Sequence, residues 1–173
     1  MDVSPSRWFP LARQRVALPD GQVLDDYYLA RLGHVAMVVP VTPRGELVFV
    51  RQYKNGVGEI TLEFPAGYVE AGQTPEECAR AELLQETGIR AENLRFVGEL
   101  WQSSTKLDTR VFGYLAAGVT VTQAQCLDST EAIEVVSVPP GEVDGRVIAG
   151  EINCSDTLAL LGLVRLKFPE AFG

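Results

Sequence analysis

Two carboxylates four residues apart, Glu82 and Glu86, are the residues whose type and spacing most directly suit metal chemistry in this chain. On a helix that spacing puts both side chains on one face, one turn apart, where like charges repel mildly unless a cation lies between them. An E-x-x-x-E pair is more often a solvated helix face, so its setting matters. Residues 67–72, Gly-Tyr-Val-Glu-Ala-Gly, form a glycine-bracketed loop just ahead of the pair. Glycine lets backbone carbonyls approach closely. A hard cation such as Mg²⁺ takes oxygen ligands in octahedral geometry: one or two carboxylates, a carbonyl, waters and substrate phosphate oxygens.

Other chemistries have fewer parts available. A single histidine, His34, leaves no multi-histidine metal site and removes most Ser-His and Cys-His schemes. It opens an apolar run, where a structural role is expected, and acid-base work then falls to carboxylates. Cys78, Cys126 and Cys154 are odd in number, far apart and without metal-ligand spacing. Neither a disulfide framework nor a zinc site is indicated, and a reducing cytoplasm is the expected compartment. The net charge of −8 and the lack of a Lys/Arg run argue against a nucleic-acid groove. A phosphate-bearing ligand would need a local correction to that field, from bound cations or from placed residues such as Arg51, Lys54 and Arg110. No basic-then-apolar leader opens the sequence, and no apolar stretch reaches the roughly 18 residues of a membrane span.

The elements that must hold these residues can be read from pattern. With 173 residues, 46% hydrophobic and 22% charged, the chain suits one globular core. Residues 10–31 read as a hairpin around Pro19-Asp20-Gly21, a favoured turn sequence. Residues 34–41 and 46–53 read as buried strands, followed by shorter strands over 60–64, 94–102, 110–117 and 133–138. Thr74-Pro75-Glu76-Glu77 has the form of a capping box, and Gly88 that of a helix stop. The spacing thus predicts about 13 residues of helix, with Ala79, Leu83 and Leu84 toward the core. A second helix is expected over 155–168 behind a Ser/Asp start, and residues 116–130 read as a long loop or flap.

Residues 67–89, GYVEAGQTPEECARAELLQETGI, resemble the Nudix box, G-x5-E-x7-R-E-U-x-E-E-x-G-U with U aliphatic. Gly67, Glu82, Leu83, Glu86, Gly88 and Ile89 fit; Gln73, Ala81 and Gln85 stand where the pattern has Glu, Arg and Glu. Four further tokens resemble the ADP-ribose pyrophosphatase subgroup: LPDGQVLDDYYLAR, VFVRQYK, LEFPAGYVEAG and VIAGEINCSDTLALLGL. The resemblance implies an α/β (α+β) fold, a Nudix-type α/β/α sandwich with a mixed central sheet and an N-terminal antiparallel hairpin. It implies a hairpin region over 1–33 that contributes to a homodimer, and a hydrolase domain over 34–173. The implied reaction is Mg²⁺- or Mn²⁺-dependent hydrolysis of the pyrophosphate bond in a nucleoside diphosphate linked to a sugar. Metal ligands carried over from the family are Glu82, Glu86 and the backbone carbonyl of Ala66.

The resemblance also implies a general base from a loop ahead of IEVVSV, and Glu131 is the matching position; an exposed loop carboxylate is the alternative. Arg51 and Lys54 occupy positions from which the family reaches phosphates, and Arg110 is a third candidate, with surface ion pairs as the alternative for each. Lys54 replaces an arginine and so forgoes a bidentate contact. Trp101 offers a ring for stacking on a base, although a large aromatic on a strand packs in the core more often. The stretch Trp101–Asp108 lacks the serine-proline-glycine loop usual in the subgroup, which puts ADP-ribose itself in question as substrate. Each box departure removes a charge, so weaker metal binding is expected. A catalytically weak or inactive domain that binds nucleotide sugars is the rival reading.

Overall fold

Alternation along one apolar strand determines the layering. The computed structural model describes residues 1–172. In strand β3 (Val35–Val41), Met37, Val39 and Val41 face one core, while Ala36 and Val38 face another, as the two-residue period of a strand requires. Strand β4 (Leu47–Lys54) does the same, with Leu47 and Phe49 on the first side and Val48 on the second. A strand buried on both faces needs a helical layer on each. Helix α1 (Pro75–Thr87) supplies one through Cys78, Ala79 and Leu83, and helix α3 (Ser155–Lys167) supplies the other through Leu160, Leu161 and Val164.

The main sheet is completed by β5 (Glu59–Glu63), β6 (Ala66–Tyr68), β7 (Arg95–Trp101), β8 (Arg110–Ala117) and β9 (Ile133–Val138). Its order is β5-β4-β3-β8-β7, with β6 also on β3 and β9 also on β4. β3 and β8 run parallel from Val35↔Val111 to Val41↔Ala117, and the other pairings are antiparallel, so the sheet is mixed. Strands β1 (Leu11–Ala17) and β2 (Val23–Ala30) form a separate antiparallel sheet. This is the expected α/β/α sandwich with its N-terminal hairpin.

Helix α1 has the expected ends. Thr74 Oγ1 accepts the Glu77 N–H at 3.2 Å, and Glu77 Oε2 accepts the Thr74 N–H at 2.8 Å, closing the capping box. Gly88 stops the helix with φ 71°, and its N–H donates to the Leu84 carbonyl.

Several expectations need correction. A third helix, α2 (Pro140–Ile148), was not anticipated, because Gly141 and Gly145 lower its propensity and the double proline reads as a break. β6 is three residues long, too short for an alternation to register. The N-cap of α3 is Cys154, without a side-chain cap, and Ser155 is the first helical residue. Leu84 is half-buried, whereas Ala79 and Leu83 are fully buried. Among the described residues no helix is long and apolar enough to cross a membrane.

Candidate active site

The helix that buries Ala79 and Leu83 also buries a carboxylate. Residues 79, 83 and 86 lie on one helical stripe, and Glu86, the third of them, is 3% exposed. Its Oε2 accepts the backbone N–H of Ala66 at 3.0 Å, which ties α1 to the strand ahead of the glycine loop. Burial pushes the Glu86 carboxyl up to about 8; the Ala66 hydrogen bond opposes this, Glu82 adds to it, and Lys54 opposes it from β4.

Glu82, one turn earlier, is also raised, first by burial and then by the charges of Glu131, Asp128 and Glu70. Its carboxylate lies against the backbone of Gly67, where a Cβ would collide with it. Cys78, buried beneath the same loop, directs its thiol at the carbonyls of Gly67 and Tyr68, at 3.7 and 3.4 Å. The result is a water-poor, electronegative cradle between a loop backbone and one helix. Among the described residues no three His, Cys, Asp or Glu side chains converge as a self-sufficient metal cage. Two carboxylates and a nearby carbonyl, with waters and phosphate oxygens completing the shell, are instead the donor set suited to Mg²⁺ or Mn²⁺, so the residues fit such an ion.

The glycine supports a separable prediction. Gly67 is not in the left-handed region, so alanine is acceptable to its backbone, and the group in its way is the end of a flexible side chain. Gly67→Ala should therefore displace the Glu82 carboxylate, reducing turnover at least about tenfold while shifting the melting temperature by only a few degrees. Kinetics and melting on the same preparation check this; parent-like turnover would contradict it.

Lys54 belongs to the same region. Its Nζ is 3.6 Å from Glu63 Oε2, and Glu63 Oε1 accepts from Thr61 Oγ1 at 2.6 Å and from Cys154 Sγ at 3.1 Å. Glu63 thus holds Lys54 at the wall of a cleft of about 620 Å³, whose lining includes Met37, Cys154 and Asp156. Met37 is the β3 partner of Ala66, so the cleft adjoins the loop that faces Glu86.

The remaining candidates make contacts of their own. Arg51 is an odd number of residues from Lys54 on β4 and faces the other side of the sheet. It pairs with Glu134 at 3.4 Å and lines a second hollow, of about 380 Å³, with Arg146 and Val136. Arg110 pairs with Glu99, and its guanidinium sits 4.5 Å above the Trp101 ring. Trp101 is 58% exposed, which corrects the core alternative for it, since β7 is an edge strand. His34 has a structural contact: its Nδ1 accepts the Arg110 backbone N–H at 3.3 Å.

Each box departure has a local explanation or vacancy. The side-chain oxygen of Gln73 accepts the Glu70 N–H at 3.1 Å and closes the glycine loop. Gln85 is exposed. Arg80 does not stand in for an arginine at Ala81, because its guanidinium binds Glu76 and the carbonyls of Ala91 and Glu92. Glu131 is exposed; its Oε2 accepts the Asp128 N–H at 3.0 Å in a closed turn. Glu70, Asp128 and Glu63 were not anticipated as members of the site. Glu70 was visible inside the glycine loop, whereas the other two give no local signal.

The NUDIX domain model matches residues 31–156. An ADP-ribose pyrophosphatase from Bacillus subtilis (strain 168) is 30% identical over 153 residues, covering 88% of this chain and 82% of that protein. A methanol dehydrogenase activator from Bacillus methanolicus is also 30% identical over 153 residues, with the same coverage. In fold, the chain is similar to a solved structure described as an ADP compounds hydrolase, with a TM-score of 0.85 at 21% identity, covering 98% of this chain and 91% of the other. Matched over most of its length by the family model and by relatives of similar extent, this chain belongs to the Nudix hydrolase family.

Proposed function

We propose that this Nudix pyrophosphohydrolase cleaves the pyrophosphate bond of a nucleoside diphosphate linked to a sugar, releasing a nucleoside monophosphate and a sugar phosphate. The observation that carries the proposal is Glu86, a carboxylate 3% exposed and facing Ala66 beside the Glu82–Gly67 contact. A buried acidic pair of this kind is costly unless a cation joins it. Glu82, Glu86 and the carbonyl of Ala66 would hold Mg²⁺ or Mn²⁺. When bound, that ion supplies charge neutralisation at phosphate and acidifies a coordinated water.

The chain's own groups have complementary tasks. Lys54 meets a phosphate oxygen as a point charge, and Glu63 restrains it. Glu131 accepts a proton from the attacking water. The water oxygen then bonds to phosphorus, the bridging P–O bond breaks, and the departing phosphate keeps the electron pair. Burial of Glu82 and Glu86 keeps bulk water from screening these charges. Incubation with a nucleotide sugar and Mg²⁺, with products separated by ion exchange, tests the bond assignment. Release of nucleoside diphosphate and free sugar in place of two monophosphates would contradict it.

The second reading is a domain that binds nucleotide sugars with weak or no turnover. Gln73, Ala81 and Gln85 favour it, as does the relative named as a methanol dehydrogenase activator. In either reading residues 1–33 are proposed to join two copies. Val23, Leu24 and Tyr28 are exposed on β2 of the two-stranded sheet, and Trp8 and Phe9 are exposed just ahead of β1. Sedimentation at micromolar concentration should give about twice the 18.9 kDa chain mass, and a monomer mass would contradict the assignment.

A further inference from the structure

The last-turn carbonyls of an α-helix lack partners within the helix and need donors from elsewhere. On α1 one segment provides them. The Cys126 N–H donates to the Gln85 carbonyl at 2.9 Å, and the Thr122 and Gln123 N–H groups donate to that of Gly88 at 2.9 and 3.2 Å. Thr122 Oγ1 adds a bond to Gly88 at 3.0 Å. The approach is close enough that a Cβ on Gly88 would collide with the carbonyl oxygen of Gln123. Far from being a free flap, this part of the loop is fastened to the helix carrying Glu82 and Glu86.

Gln125 makes the fastening two-ended. Its Nε2 donates to the carbonyl of Glu86 at 2.6 Å and to that of Ile133 at 3.1 Å. A side-chain amide has two N–H donors, and both are used here. One holds the helix residue at the centre of the site, and the other holds the first residue of β9. The intervening chain, residues 126–132, carries Asp128 and Glu131, which close one turn: the Glu131 N–H donates to the Asp128 carbonyl at 2.9 Å, and the Asp128 N–H donates to the Glu131 carboxylate at 3.0 Å. Both ends of the turn that presents Glu131 are thereby set by one side chain.

We infer that Gln125 is a positioning residue for the reaction, fixing the reach of Glu131 toward Glu82 and Glu86 by linking the carbonyls of Glu86 and Ile133. The inference rests on the proposed role of Glu131 as base. Leucine at position 125 retains bulk but removes both donors.

The test compares Gln125→Leu, Glu131→Gln and the double variant as Mg²⁺-loaded full-length protein on one nucleotide sugar. Gln125→Leu should lower kcat about tenfold to a hundredfold, the scale of a small misplacement of a catalytic group, with KM nearly unchanged. In the Glu131→Gln background the same substitution should change kcat by less than about twofold, because nothing remains to be positioned. Amide exchange across 127–132 should accelerate while that of α1 does not. Losses that multiply in the double variant would make Gln125 merely structural and overturn the inference. Parent-like kcat in Gln125→Leu beside an impaired Glu131→Gln would overturn it and leave the base standing. Parent-like kcat in Glu131→Gln would remove the base, and the inference with it. If Gln125→Leu folds poorly, Gln125→Glu, which keeps the shape without the N–H groups, is read by the same criteria.

Discussion

Glu131→Gln should lower turnover by roughly 10²-fold to 10⁴-fold, the usual contribution of a general base, while leaving KM and thermal stability near those of the parent. The exchange keeps size and keeps an acceptor for the Asp128 N–H, so the turn that presents residue 131 should persist. It removes the ability to take a proton from water. Exposure of Glu131 means that no core packing is lost. Steady-state kinetics at saturating nucleotide sugar, with melting curves on the same samples, would check the prediction. A loss below a few-fold would return Glu131 to the status of a surface carboxylate.

Glu86→Gln should have two opposite effects. Turnover should fall by roughly 10³-fold, equivalent to several kcal/mol of lost transition-state stabilisation. The metal-free protein should become more stable at alkaline pH, because a buried charge is exchanged for a neutral amide that can still accept the Ala66 N–H. The pKa gives the window. With its folded value pushed up to about 8 from 4.5, Glu86 holds its proton in the native state over a range where the unfolded chain has lost it. Its favourable contribution is therefore complete below 4.5 and is lost as pH rises through about 8. Melting in EDTA should show the variant ahead of the parent above that pH, with the gap narrowing toward acid. Mg²⁺ should close the gap by stabilising the parent selectively. A gap independent of pH would contradict the burial account.

Much of this arrangement was legible in the residues. The capping box at Thr74 and the stop at Gly88 defined α1, because both are local chemistry. The apolar runs defined β3 and β4, which are buried on both faces. Helical spacing also contains the 79–83–86 stripe that buries Glu86, but assigning the core face to Ala79, Leu83 and Leu84 left that signal unused. What was not legible depends on distant partners. Glu63 meets Cys154 from 91 positions away, and Gln125 reaches Glu86 across 39. α2 was hidden by its glycines and leading prolines, and the opposite facing of Arg51 and Lys54 went unused although strand parity contains it.

The most direct test of the central claim is hydrolysis by the wild-type protein of a panel comprising ADP-ribose, other nucleotide sugars, dinucleoside polyphosphates and NADH with Mg²⁺ or Mn²⁺, using Glu86→Gln as the blank. A nucleoside monophosphate and a sugar phosphate should form from at least one nucleotide sugar and be absent from the blank. Saturable binding of nucleotide sugars with no metal-dependent product would contradict the claim and leave a binding domain in its place.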